Sequence, residues 1–254
     1  EIPTYIHLPL IMGKDADGNV SKLSKRHGAT GFYDLIDEGY LPEAIINYIA
    51  LLGWCPKDNQ EIFTLKELEK AFDISGISKS PAVFDYDKLS WFNGEYIKAM
   101  TPEKFTEVAM PYYKKVFGDK QMPYEKFAAI LQKRTTQLTQ IPEMLDFFAE
   151  LPSYTKELFV NKKSKTNLEN SPVVLKEAYD RLKAMPEWNE TSIHDCLINM
   201  AVEKELKNGT VMWPVRIAAA GKTVTPGGAV EILDILGRDE SLARLEKGMA
   251  ILAE

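Results

Sequence analysis

Three cationic side chains, Lys22, Lys25 and Arg26, fall within five positions of the stretch "GNVSKLSKRHGAT", residues 18–30. Two lysines supply mobile point charges and an arginine supplies a planar donor fork, a set suited to a polyphosphate. Ser24 adds a hydroxyl donor, and Leu23, the one apolar residue between the cations, is placed to tether the loop to the body. Gly18 and Gly28 allow the backbone to swing and approach a ligand closely. His27 abuts the loop, where it either bonds a phosphate oxygen or caps a backbone carbonyl. The plainer reading of the whole run is a solvated basic turn, which is what most clustered charge is. No Walker-type glycine spacing precedes it, so a P-loop is excluded.

The rest of the chain has to position such a loop. Its 254 residues are enough for two ordinary domains with a sizeable core. With 45% hydrophobic and 27% charged residues it reads as an ordinary globular protein. A net charge of −6 removes a whole-protein basic field and with it simple coating of nucleic acid, leaving local patches as the way to bind one. No apolar run reaches the length of a membrane span, and the first residues lack a signal-type core, so no membrane partner and a cytoplasmic place are expected. Cys55 and Cys196 stand far apart, with neither a disulfide framework nor a zinc spacing, and both read as small core hydrophobes. No metal ligand set is expected. The chain lacks an initiator methionine, and its first strand has nothing before it to pair with, which points to a piece of a larger protein.

Tyr5–Met12 reads as a short strand or extended segment and Gly13–Asn19 as a turn or hairpin tip. From Thr30 the pattern is helical almost everywhere, and no strand pattern is found after residue 30. Thr30 caps a helix running to Glu38 and Gly39 stops it. Pro42 opens the next, in which Leu41, Ile45, Ile46, Ile49 and Leu52 recur at helical spacing. Thr64 and Glu67 form a capping-box pattern. Residues 73–97 read as a connecting region with a short helix. Helices follow from Pro102, from Pro123 and over Leu138–Leu151, the last with Pro142 near its start. "NKKSKTNLENSP", residues 161–172, reads as a linker. Further helices are expected near 173–185, 191–208 (capped by Thr191), 211–220 and 229–253, with Gly221 and Gly237 as stops. Trp54 and Trp213 read as core. His7 reads as structural and His194 as partly exposed.

Lys-Leu-Ser-Lys-Arg resembles the KMSKS signature of class I aminoacyl-tRNA synthetases. The flanking strings sharpen the match: "HLPLIMG…KLSKRHGA" followed by "GYLPEAIINYIALLGW" at 39–54 is similar to bacterial-type glutamyl-tRNA synthetases. "ELFVNKKSKTN", "WPVRIAAAG" and "TPGGAVEILDILG…SLARLEKG" continue the resemblance, in order, along the full chain. The motif has Leu for Met and Arg for the final Ser, and both occur in the glutamyl branch.

The resemblance implies a mainly α protein. A short α/β remnant of the catalytic domain (1–29) would precede a helical stem-contact domain (30–99) and an all-helical anticodon-binding domain in two parts (100–170 and 171–254). It implies a catalytic loop of Lys22, Ser24, Lys25 and Arg26, with Lys25 on the phosphates of ATP and His27 and Gly28 beside them. It implies glutamate, ATP with Mg2+ and tRNA(Glu) as the full enzyme's ligands, and a monomer. Arg216, Thr225, Pro226, Gly227 and Gly228 would meet the anticodon, with Arg134 a further contact. Pro226 would offer a base a flat apolar face, and Lys162, Lys163 and Lys165 either steer phosphate or belong to a solvated linker. Nothing matches the family's HIGH-type signature, so this chain by itself is expected neither to hold ATP stably nor to charge tRNA. The alternatives are a helical interaction module with no catalytic ancestry, and a nondiscriminating or glutaminyl-type synthetase.

Overall fold

A short apolar run, a glycine-bearing turn and a second extended run make a hairpin. In the computed structural model, which describes residues 3, 5–28 and 31–253 and of Arg26 the backbone alone, β1 (Ile11–Lys14) pairs antiparallel with β2 (Val20–Lys22). Met12 faces Lys22 and Lys14 faces Val20 across the ladder. The tip is closed by Asp15, whose Oδ1 accepts the N–H groups of Asp17 (3.1 Å) and Asn19 (2.8 Å), with Gly18 at φ +88°. A third strand, β3 (Ala82–Phe84), runs parallel to β1 on its other side, giving the order β2-β1-β3. The expectation of no strand beyond residue 30 fails here. Three residues are too few to display an alternating pattern, and the pairing is set by the distant partner strand.

The chain divides into two units, residues 1–105 with 133–140, and residues 106–132 with 141–254. In the first, the sheet is joined by α1 (Phe32–Asp37), α2 (Pro42–Gly53), α3 (Leu65–Ala71) and α4 (Tyr86–Ala99). The core is Leu35, Tyr40, Ile45, Tyr48, Phe84, Leu89 and Phe92. Thr30 lies outside the described residues, and Gly31 is the N-cap of α1. On α2 the buried face is Ala44, Ile45, Asn47 and Tyr48, while Ile46 and Ile49 are exposed, so the apolar run is wider than the stripe that packs. Trp54 is buried as expected, but Cys55 beside it is exposed. The Thr64–Glu67 box caps α3 with reciprocal bonds of 2.7 and 3.3 Å.

The connecting region holds a longer helix than expected. Asp85 caps α4 by accepting the N–H groups of Asp87 (2.9 Å) and Lys88 (3.2 Å), and burial of Leu89, Phe92, Asn93 and Ile97 on one face carries it for 14 residues. Tyr48 holds that cap in place: its hydroxyl oxygen accepts the Asp85 N–H at 2.6 Å, and burial pushes the phenol's pKa up to about 12.

Asn93, fully buried on α4, accepts from Leu41 N–H (2.8 Å) and donates to the carbonyls of Gly39 (3.2 Å) and Thr136 (2.6 Å). Gly39 is at φ +89°, and a side chain there would start 2.6 Å from the Thr139 nitrogen. This clamp holds the 133–140 segment, with Arg134 on it, in the first unit.

The second unit is helical. Beyond α5 (Pro102–Phe117), which carries Pro111, lie α6 (Tyr124–Leu131), α7 (Ile141–Ala149), α8 (Asn170–Ala184), α9 (Glu190–Glu203), α10 (Asn208–Ala220), α11 (Ala229–Leu236) and α12 (Arg238–Ala253). Asn189, not Thr191, caps α9, its side chain accepting Ser192 N–H at 2.9 Å. Cys196 is half-buried on this helix, and burial pushes its thiol pKa up. The centre is α10, packed by α8, α9, α11 and α12. Its buried run Ala218-Ala219-Ala220 lets α12 approach so closely at Gly248 that a Cβ there would lie 2.6 Å from that of Ala218.

Residues 161–172 are not a linker. Asn161 and Thr166 form an antiparallel bridge, Thr166 is buried with its hydroxyl donating to Phe159 O (2.7 Å), and Asn167 Oδ1 accepts from Glu169 and Asn170. The asparagines that gave the stretch its linker composition bond its own backbone.

Candidate functional site

In the first unit β2 ends at Lys22, so the ladder fixes where the cationic loop begins. The next residue, Leu23, donates its N–H to Ile11 O (3.0 Å), and its side chain packs on the core as a tether should. Ser24 then caps a single 3₁₀ turn, Lys25–His27, in which His27 N–H reaches Ser24 O at 2.9 Å.

The ring of His27 folds back inside the loop. Nδ1 lies 3.1 Å from both the N–H nitrogen and the carbonyl oxygen of Ser24, and Nε2 lies 3.2 Å from Ser21 Oγ. Both ring nitrogens are engaged within the loop. Gly13 makes room for this: a Cβ there would lie 2.6 Å from the ring. Gly28 ends the loop at φ +110°, beside the Tyr86 hydroxyl, a conformation that a residue with a side chain rarely adopts. The backbone is thus held at both ends. The Lys22 and Lys25 side chains are exposed, and neither forms an ion pair among the described residues. The Arg26 side chain lies outside the described residues. His7 is exposed rather than structural, and His194 is exposed beside Asp195.

A second constellation lies in the helical unit. A groove of about 540 Å³ is lined by Lys163, Ser164, Trp213, Arg216, Gly228 and Glu231, among others. Trp213 and Arg216 sit one turn apart on α10, on the same face. The indole N–H donates to Leu158 O (3.0 Å), so Trp213 is half-buried and lines the groove, where a core position was expected. The Arg216 guanidinium stacks on that indole, 4.7 Å from the ring centroid, and Nη2 donates to Thr223 O (3.0 Å). Stacking of this kind contributes about 0.5–1 kcal/mol at a half-exposed site and sets the plane of the fork.

The turn after α10 completes the groove. Gly221 ends the helix in the left-handed region (φ +63°). Thr225 Oγ1 donates to Gly227 O (2.7 Å), and Gly228 caps α11, its N–H donating to Glu231 Oε2 (3.1 Å). Thr225, Pro226 and Gly227 are buried, so Pro226 has no face to offer a base. The exposed apolar residue of the turn is Val224, at 84%. Thr225, Pro226 and Gly227 shape the turn, and of its "TPGG" stretch Gly228 lines the groove. Lys163 reaches the groove from the loop read as a linker, and Glu231 was missed altogether. Its signal was present, since a Glu three residues past a helix-starting Gly is a capping pattern. Arg134 stands exposed in the first unit. No group of three or more His, Cys, Asp or Glu among the described residues is placed to hold a metal, and none of their helices is long and apolar enough to cross a membrane.

Residues 1–91 match the family of class I tRNA synthetase (E and Q) catalytic domains, and residues 104–249 match the anticodon binding domain family. Among curated relatives, the glutamate–tRNA ligase of Clostridium kluyveri is 51% identical over 98% of this chain and 50% of its own length. That of Clostridium novyi is 48% identical over 100% of this chain and 52% of its own. This chain therefore spans about half the length of the curated relatives it matches. Among solved structures, a glutamate tRNA ligase from Elizabethkingia meningosepticum, in complex with its amino acid, superposes with a TM-score of 0.80 at 28% identity, covering 99% of this chain and 52% of that one. The glutamate-tRNA synthetase of Elizabethkingia anophelis gives 0.80 at 26% identity, covering 98% of this chain and 52% of that one.

Proposed function

Because this chain belongs to the glutamyl-tRNA synthetase family, we propose that it is the tRNA-binding part of a ligase that activates glutamate with ATP and joins it to tRNA(Glu). That membership leaves no place for a helical module without catalytic ancestry. In the activation step a glutamate carboxylate oxygen bonds to the α-phosphorus, the bond from that phosphorus to the β-phosphate bridge breaks, and pyrophosphate leaves with the electron pair. A ribose hydroxyl of the tRNA 3′ end then attacks the activated carbonyl, and AMP departs. Charge grows on the pyrophosphate oxygens during the first step. Cations placed there stabilise the transition state more than the bound ATP.

Lys25 is assigned to those oxygens, Lys22 and Arg26 to support of the loop, and Ser24 to a hydroxyl contact. Gly28 lets the loop lie close to the nucleotide, and His27 acts beside the phosphates by holding the turn. The observation that carries this reading is the pair of exposed lysines, without ion pairs among the described residues, on a loop pinned by Leu23 and His27. These residues fit the phosphates of ATP. For Mg2+ the described residues hold no group of three or more His, Cys, Asp or Glu placed to bind a metal.

The helical unit reads the anticodon. Bases of RNA loops are splayed onto aromatic, guanidinium and tight-backbone surfaces, and the groove combines Trp213, Arg216 and Gly228. Thr225, Pro226 and Gly227 hold that edge in shape, and Arg134 is a further RNA contact. The division 1–29, 30–99, 100–170 and 171–254, a cytoplasmic place and a monomeric state complete the proposal. The assay is glutamate-dependent exchange of pyrophosphate into ATP. A complete ligase with this chain as its second half carries it out, and the 254-residue chain alone does not. Exchange by the chain alone would contradict this division of labour.

A further inference from the structure

The RNA-reading role proposed for the groove leaves one of its charged residues unexplained. Lys163 and Arg216 carry donors and no acceptor. They suit carbonyl oxygens, ring nitrogens and phosphates, and by themselves do not distinguish an amine-bearing base. Glu231 is the one carboxylate among the residues lining the groove. An ionised carboxylate is acceptor-only, with about four lone-pair sites on two oxygens. The Gly228 N–H takes one of them, at Oε2, and fixes the group at the first turn of α11. No other hydrogen bond from the described residues reaches it. The groove therefore presents donors and one fixed, anionic acceptor in a space of about 540 Å³, within the range of sites that take a small ring.

We propose that Glu231 is a specificity-determining residue of the RNA groove, accepting from the exocyclic amine of an unpaired base so that cytosine is preferred to uracil there. Cytosine offers O2 and N3 as acceptors for the cations and its N4 amine as a donor to the carboxylate. Uracil puts O4 where the amine would be, setting an acceptor against an acceptor. Because the capping bond already orients the carboxylate, little ordering is left to be done when the base arrives.

The test uses the full chain and anticodon stem-loop hairpins of glutamate tRNA carrying C or U at each anticodon position in turn. The wild-type chain prefers C to U by about tenfold at one position. Glu231→Gln keeps a carbonyl acceptor for Gly228 N–H, so melting is unchanged, but its amide both donates and accepts and the preference falls to within about twofold. Glu231→Ala loses the preference and also lowers the melting temperature. The inference is overturned if Glu231→Gln keeps the wild-type ratio at every position, or if the wild-type chain shows no preference for C at any. Either result with hairpin binding intact leaves the RNA-reading role standing. Loss of hairpin binding by the wild-type chain overturns both.

Discussion

Replacing Lys25 with Ala lowers glutamate-dependent pyrophosphate exchange by the complete ligase by about a hundredfold, close to 3 kcal/mol, the usual cost of removing one preorganised donor from a developing charge. The loss falls on kcat, with KM for ATP changing little, because the contact strengthens only as pyrophosphate departs. Lys25→Arg recovers part of the rate by restoring the charge with a different donor geometry. Affinity for tRNA stays within about twofold, since the groove proposed to bind RNA is built from residues far from Lys25 in the chain. A fall in exchange and in tRNA affinity together would instead mean that the loop is a structural part of the RNA-binding surface.

Arg244→Ala destabilises the helical unit by about 3–5 kcal/mol. Arg244 is only 4% exposed on α12. Its Nη1 donates to Phe147 O (2.7 Å) and Ala219 O (2.9 Å), and Nε donates to Glu240 Oε1 (2.6 Å). Phe147 and Ala219 lie in the last turns of α7 and α10, whose carbonyls have no partner within their own helices. The guanidinium thus satisfies two buried acceptors and places a cation at the negative ends of two helices. Truncation orphans both carbonyls and opens a cavity. Arg244→Met fills the cavity and leaves the carbonyls unpaired, so it recovers only part of the loss. Urea unfolding measures both variants, and a cost below about 1 kcal/mol for Arg244→Ala would contradict the assignment.

Arg244 also marks a limit of sequence reading. Four residues past Glu240, it has the spacing of an ordinary surface pair on a helix, and nothing local says that α7 and α10 end against it. The same limit explains β3 and Trp213. A three-residue strand is specified by its partner, and an indole beside apolar neighbours looks like core until the groove next to it is known. The 161–172 loop misled through composition, because asparagine and threonine that bond their own backbone look like solvated residues. What was legible depended on local chemistry. The Thr64–Glu67 box, Pro42 at the start of α2, the hairpin tip and the Leu23 tether each follow from a few adjacent residues, and each is in place. The cationic loop was legible for the same reason, whereas the use of both His27 nitrogens inside it depended on Gly13 across the ladder.

With a net charge of −6, this chain needs a localised groove to bind RNA. The direct measurement is the affinity of the 254-residue chain for tRNA(Glu) across salt concentration, compared with that of Arg216→Ala. Each phosphate contact predicts a loss of roughly threefold between about 50 and 200 mM salt. Arg216→Ala weakens binding by about tenfold at each salt concentration, as loss of a base contact does. Absence of binding, or binding indifferent to both salt and Arg216, would contradict the account.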